Sequence, residues 1–332
     1  MKTRYLYLAG ATLLLGALLA WLDFRAFARA PLAIPESGVH LVVERGTPVR
    51  AVIRELGQRG VTEPGWRWRL LTRIEPVTIQ AGEYALTAGL SPRALLALLA
   101  NGNVVRYQFT IVEGWTFRQL QAALAAEPQL AQSTTGLDSE VQLLQAINPE
   151  LEHPEGWFLP ETYQYVRGDS GLDILRRAHD AMQRELERAW AGRAPDLPLK
   201  SAYELLVLAS IVERETSLDA ERADIAGVFV RRLQQGWRLE TDPTVIYGLG
   251  QQFDGDLRRR DLVADSPYNT YTRFGLPPTP IALPGALSLQ AVAHPAAGTA
   301  MFFVASGAGG HVFSETLEEH NAAVRAMLRK TP

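Results

Sequence analysis

The feature that most limits how this chain can fold is an uncharged run near its start. From Tyr5 to Leu22 the sequence YLYLAGATLLLGALLAWL carries no charge; Lys2 and Arg4 precede it, Asp23 and Arg25 follow it. As a helix it spans about 27 Å, enough for the hydrocarbon core of a bilayer. Tyr5, Tyr7 and Trp21 stand near its ends, where amphipathic rings favour the membrane interface. Ala26-Phe27-Ala28 and Ala28-Arg29-Ala30 resemble signal-peptide cleavage sites, but Pro31 fits the second badly, and the length favours a retained anchor over a cleaved leader. Lys2 and Arg4 favour a cytoplasmic start, with Arg25 and Arg29 reducing the contrast. No second run of this kind follows, so the remaining chain is expected on one side of the membrane, the outer one.

The 332 residues leave room for two domains after the anchor. Apolar residues make up 47% and charged residues 21%, a globular balance. With 33 basic against 36 acidic residues, there is no positive excess to support nucleic-acid binding as the main activity. Cysteine is absent, which excludes disulfides, thiolate metal sites and a cysteine nucleophile. The six histidines form no H-E-x-x-H or other metal spacing, and neither a G-x-S-x-G elbow nor a phosphate-binding glycine loop occurs.

Local patterning predicts alternating short strands and capped helices. His40–Glu44 reads as a strand, followed by Thr47 as an N-cap, Pro48 as first helical residue, and Val49, Val52, Ile53 and Leu56 at helical spacing. A helix over Trp66–Leu71, a strand over Gly82–Leu86 and a helix opened by Ser91-Pro92 and closed by Asn101-Gly102 come next. Tyr107–Val112 is a strand, with a capping box at Thr116 and Gln119 behind it. Leu172–Trp190 is a long amphipathic helix. The chain ends with strands at Met301–Ser306 and His311–Ser314 around a Gly-rich turn, then a helix capped by Thr316 and Glu319. The expected class is α+β: a cytoplasmic tip and transmembrane helix over residues 1–30, a small α/β module over 38–105, and a mixed α/β domain with short strands over 106–330.

Chemical character concentrates after Ser201. Ser201 and Glu204 form a capping box for a helix in which Leu205, Leu208, Ala209 and Val212 define the buried face. Glu215 projects roughly 50° from the centre of that face at the helix end, and Glu213 about twice as far, toward the solvent edge. A carboxyl at the end of an apolar face is partly desolvated, which raises its pKa toward the range useful to a general acid. Asp242, in Thr241-Asp242-Pro243-Thr244, reads as an N-cap. Ser266-Pro267-Tyr268-Asn269-Thr270-Tyr271 then opens a long irregular loop rich in aromatic, amide and hydroxyl groups. Such loops suit carbohydrate: rings stack on sugar faces, and amides meet hydroxyls. Long structureless loops inside compact domains are uncommon unless functional. His294 and His311 lie beside this aromatic region, where a ligand contact and a structural role are equally open; His179 is within a helix and reads as structural.

The stretches EGWFLPETYQY (155–165), IVERET (211–216), GWRLETDPTVIYGLG (236–250), SPYNTYTRFGLPPTPIALPG (266–285), AVAHP (291–295) and GGHVFS (309–314) resemble the YceG-like family of endolytic murein transglycosylases. The resemblance covers nearly the whole chain. It implies a single-pass inner-membrane enzyme with its catalytic part in the periplasm. It makes the 38–105 module LysM-like and the 106–330 domain catalytic. It places the catalytic glutamate at the second Glu of E-x-E-T, Glu215, the same residue that helix geometry prefers. Asp242, Tyr268, Asn269 and Tyr271 are the expected substrate contacts or orienting groups, with Glu161, beside Pro160, a further candidate. The implied reaction is cleavage of the MurNAc-β-1,4-GlcNAc bond with a 1,6-anhydro end, on nascent strands, limiting their length. No metal or cofactor is called for. The implied partners are glycan strands, the membrane and the peptidoglycan synthases. The alternatives are a hydrolase acting on the same bond and a non-catalytic membrane-anchored peptidoglycan-binding or scaffold protein.

Overall fold

The computed structural model describes residues 2–130 and 140–329. The chain divides into two compact units: residues 1–107, 129–131 and 164–169 form the first, and 108–128, 132–163 and 170–332 the second.

In the first unit α1 (Lys2–Arg29) carries the uncharged run and continues past it. Tyr7–Arg29 is apolar and long enough to cross a membrane, and Leu13, Leu14 and Leu19 are exposed along it. The last turns behave differently. Phe24 and Ala28 are buried, and Phe27 meets Trp68 edge-on at 5.4 Å. Pro31–Ser37 does not form a free linker: Leu32 and Ile34 are buried, and the Leu32 and Ala33 amides donate to Leu90 and Val61 carbonyls. Then come β1 (Val39–Val43), α2 (Val49–Gln58), α3 (Trp66–Ile74), β2 (Gly82–Leu86) and α4 (Pro92–Asn101). β1 and β2 pair antiparallel, Leu41 opposite Tyr84. α2 begins one residue later than expected: Pro48 is its N-cap and Thr47 makes no cap. Ser91 does cap α4, and Gly102 closes it with a left-handed conformation. One core joins both strands, all four helices and the segment after α1.

β3 (Arg106–Thr110) pairs with β4 (Thr162–Val166), a strand that the loop-like reading around Pro160 missed; both strands change unit part-way along. In the second unit the capping box at Thr116 and Gln119 opens α5 (Phe117–Ala125), and α6 (Glu140–Ile147) follows. α7 (Gly171–Gly192) is the long amphipathic helix, capped by Ser170 and Asp173. Next are α8 (Ala202–Glu215), α9 (Arg222–Gln234), α10 (Asp242–Leu249), α11 (Arg259–Val263) and α12 (Ala286–Ala293). β5 (Phe302–Ala305) and β6 (His311–Ser314) form an antiparallel hairpin, and α13 (Leu317–Leu328) starts at the expected Thr316–Glu319 box.

The second unit is built around α8. Every residue from Leu205 to Glu213 is buried, because α7, α9, α10 and α12 all pack on it. A helix walled on all sides has no solvent edge. This corrects the expectation for Glu213, which is 8% exposed. The capping box at Ser201 is also only half formed. Ser201 Oγ accepts the Glu204 amide at 3.2 Å, but the Glu204 carboxylate takes the amide of Lys200.

Candidate active site

Glu213 and Glu215 lie two residues apart and meet opposite environments. Glu213 is fully engaged. Its Oε1 accepts Arg222 Nη1 at 2.9 Å; its Oε2 accepts Ser288 Oγ at 2.8 Å and the amide of Gly285 at 2.9 Å. Gly285 is the N-cap of α12 and Ser288 lies in its first turn, so the carboxylate sits at that helix's positive end. Arg222 is buried and also reaches Asp219 at 3.2 Å and Glu113 at 3.4 Å. Burial and the nearby Glu213 charge raise the Glu113 pKa. This cluster ties the last turn of α8 to α9 and α12 and commits both oxygens of the buried Glu213 carboxylate to protein donors.

Glu215 is the last residue of α8 and is partly exposed. The Thr241 hydroxyl donates to its Oε1. Its pKa is raised, first by burial and then by the Asp242 charge; the Thr241 hydrogen bond, His311 and Arg232 oppose the rise without cancelling it. A carboxyl shifted in this direction binds a proton more readily than a free glutamate and still reaches solvent, as suits a general acid.

Thr241 is itself fixed by a hydroxyl network. Its amide donates to Thr270 Oγ1 at 3.1 Å; Thr244 Oγ1 donates to the Thr241 carbonyl at 2.7 Å and meets Thr270 Oγ1 at 2.8 Å. Glu240, just before it, has φ 50°, and no other non-glycine residue among those described has positive φ. That conformation costs an L-residue about 1–2 kcal/mol, and strain of this kind persists where the surroundings over-determine the backbone. Here Glu240's amide is held by the Thr270 carbonyl, and buried Arg232 donates to the Leu239 carbonyl at 2.6 Å.

The other expected site residues separate into two groups. Asp242 is the first residue of α10, not its cap; Thr241 is the N-cap. Tyr271 Oη donates to Asp242 Oδ1 at 2.7 Å, and the Asp242 charge acts on Glu215. Tyr271's own pKa is raised, first by burial and then by this hydrogen bond. Tyr268 meets Tyr247 edge-on at 5.0 Å, and its hydroxyl lies 2.9 Å from Thr279 Oγ1. Asn269 is buried; its Nδ2 donates to the carbonyls of Asp261, Leu262 and Ala264, and its Oδ1 accepts the Tyr271 amide. It works by holding the loop that presents Tyr271. Glu161 is exposed just before β4, and no bond joins its side chain to Glu215. His311, left open in sequence, is held by Glu221 through both its amide (2.9 Å) and its Nδ1 (2.7 Å).

Sequence reasoning missed Glu155. It is 3% exposed, accepts the Phe117 amide at 2.8 Å and the Tyr247 hydroxyl at 3.1 Å, and burial pushes its pKa up to about 7 against those bonds. It lines a cleft of about 600 Å³ together with the first turn of α5 and one face of α10, Pro243, Ile246 and Tyr247. An isolated Glu before Gly156 carries no periodic signal, so only tertiary packing reveals it.

A model of the YceG-like family matches residues 41–326. The endolytic murein transglycosylase of Bacillus subtilis strain 168 is 32% identical over 302 residues, covering 86% of this chain and 83% of that protein. The endolytic murein transglycosylase of Streptococcus pneumoniae strain D39 is 25% identical over 316 residues; the match covers 85% of this chain but 57% of the pneumococcal protein. A crystal structure of a yceG-like protein from Listeria monocytogenes aligns with a TM-score of 0.52 at 28% identity, over 87% of this chain and 99% of that one.

Replacing Glu213 by Ala leaves Arg222 buried without its best partner and should cost about 3–5 kcal/mol in a urea titration of the full chain; a loss below 1 kcal/mol contradicts the anchoring role. For Glu155 the folded pKa of about 7 lies above the ordinary value of 4.5. The folded state therefore holds the extra proton in this window. The contribution to stability is fully present below pH 4.5 and is lost as pH rises through 7. Glu155→Gln should remove that fall, so the variant gains on the wild type by up to about 3 kcal/mol between those pH values; parallel stability–pH curves contradict it.

Proposed function

Because the chain belongs to the YceG-like family, we propose that it is an endolytic murein transglycosylase: a membrane-anchored enzyme that cuts peptidoglycan glycan strands at the MurNAc-β-1,4-GlcNAc bond, with Glu215 as its catalytic acid and base. The observation that carries the assignment is the partly exposed carboxyl of Glu215 at the end of a buried helix, bonded to the Thr241 hydroxyl and with its pKa raised by burial. Glu215 protonates the leaving glycosidic oxygen, and the bond to the anomeric carbon breaks. The resulting carboxylate takes the proton of the muramic acid 6-hydroxyl as that oxygen attacks the same carbon, closing a 1,6-anhydro ring. Ordinary glycosidases need a second carboxyl to activate water or attack the sugar. Here the attacking group belongs to the substrate and acts at high effective molarity, so one carboxyl suffices. Asp242 disfavours a second negative charge beside it, and Tyr271 keeps Asp242 in place. Tyr268 and Tyr271 offer rings and hydroxyls to sugar.

The anchor reading is supported by α1, whose last turns supply Phe24 and Ala28 to a folded core. Cleavage after Ala28 or Ala30 would remove them. The strand–helix–helix–strand order of the first unit, with β1 and β2 antiparallel, supports reading it as a LysM-like module that binds the same glycan. The outward-facing orientation belongs to this proposal through Lys2, Arg4 and the family resemblance, and the synthase partners through the resemblance alone.

Glu215→Gln keeps shape and hydrogen bonding but cannot donate the proton at the right moment. It should lower turnover on purified glycan strands at least 10³-fold. Mass spectrometry of wild-type products should show 1,6-anhydro ends; reducing ends, heavier by one water, would make the enzyme a hydrolase. Full activity in the variant would falsify the assignment of Glu215.

A further inference from the structure

The cleft beside α10 neighbours the Glu215 site along the chain at two points. Arg214, in its wall, directly precedes Glu215. Pro243, also in its wall, directly follows Asp242. From there α10 runs along the cleft with Pro243, Ile246 and Tyr247, and Gly250 follows at its end. The opposite wall is the first turn of α5, with Arg118, Gln119 and Gln121.

Its charge does not match a neutral sugar chain. Some arginines of the second unit pair with carboxylates, Arg222 with three, Arg258 with Asp254 and Arg273 with Asp265 in two-fold contact, while Arg231, Arg232 and Arg238 donate to backbone carbonyls. Arg118 has no carboxylate partner among the described residues, and Arg214 makes one bond, to the Gly114 carbonyl at 3.1 Å. Against these two cations the cleft sets exposed Glu140 and buried Glu155, whose oxygens already accept the Phe117 amide and the Tyr247 hydroxyl. His153 is committed to the Glu155 amide. Two guanidinium groups facing one cleft, Arg118 with no carboxylate partner among the described residues and Arg214 holding a single carbonyl, form a carboxylate-binding arrangement.

Resting on the transglycosylase reading, we propose that this cleft receives the short acidic peptide carried by the lactyl group of muramic acid, with Arg118 and Arg214 binding its carboxylates. The peptide leaves the same sugar ring whose anomeric carbon is attacked, so it must emerge beside Glu215. The arginines act as specificity-determining residues: they favour peptide-bearing strands over stripped ones.

The test uses the full chain in detergent and one preparation of glycan strands, half of it stripped of peptide by an amidase. Wild-type enzyme should show a KM about tenfold lower on peptide-bearing strands, the equivalent of one charge-assisted hydrogen bond. Arg118→Ala should raise that KM to the level of the stripped strands, and Arg118→Lys should restore part of the difference. Equal KM values for wild type on both substrates overturn the proposal. So does an equal rise on both in Arg118→Ala, which would mean that sugar occupies the cleft. A second readout is NMR titration of free stem peptide into the Glu215→Gln chain. Shifts confined to the α5 and α10 walls support the proposal, and their absence overturns it. An active Glu215→Gln enzyme would instead defeat the transglycosylase reading, whatever the peptide does.

Discussion

The second unit depends on burying α8 from Leu205 to Glu213. Apolar neighbours bury its length, and at its end the chain must place two glutamates within three residues. One is neutralised by Arg222 and by the positive end of α12. The other receives, among the described residues, a single hydroxyl donor and no cation within bonding distance. The same burial therefore produces two chemical states. Glu213 remains a paired anion that anchors the helix, and Glu215 is driven toward its neutral form. A buried ion pair is weak evidence for net stability, but it fixes where α8 ends. That in turn fixes the carboxyl two residues on.

Positioning is shared with the segment before α10. Glu240 is strained, and the three buried threonines at 241, 244 and 270 hold that strain in place through hydroxyl bonds. The network delivers one outcome to the site: a Thr241 hydroxyl aimed at Glu215 and an Asp242 carboxylate beside it. Asn269 contributes at one remove, by pinning the loop that carries Thr270 and Tyr271. The loop looked irregular in sequence because its order comes from side-chain-to-backbone bonds, which have no period.

Local signals were legible wherever structure is local. Ser91, Thr116 and Thr316 cap the helices they were expected to cap, and Gly82–Leu86 and His311–Ser314 are strands with the expected bounds. Helix geometry places Glu215 at the end of α8, where the structure has it as the last helical residue. Glu213 was misread because an amphipathic reading assigns every helix a wet side, and α9 and α12 cover that side here. The cap of α10 was displaced by one residue because Thr241 and Asp242 are both good caps, and the Thr270 bond decided between them. Glu155, β4 and the docking of Phe24 and Ala28 rest on contacts between residues far apart in sequence, which no window of neighbouring residues can show.

The proposed chemistry turns on one proton, and its direct measure is the titration of Glu215. Carbon-13 NMR of the side-chain carboxyls, with the resonance assigned by its loss in Glu215→Gln, should give a midpoint well above the ordinary glutamate value of 4.5. A midpoint at or below that value would mean that the carboxyl is ionised at neutral pH, and Glu215 could not be the acid.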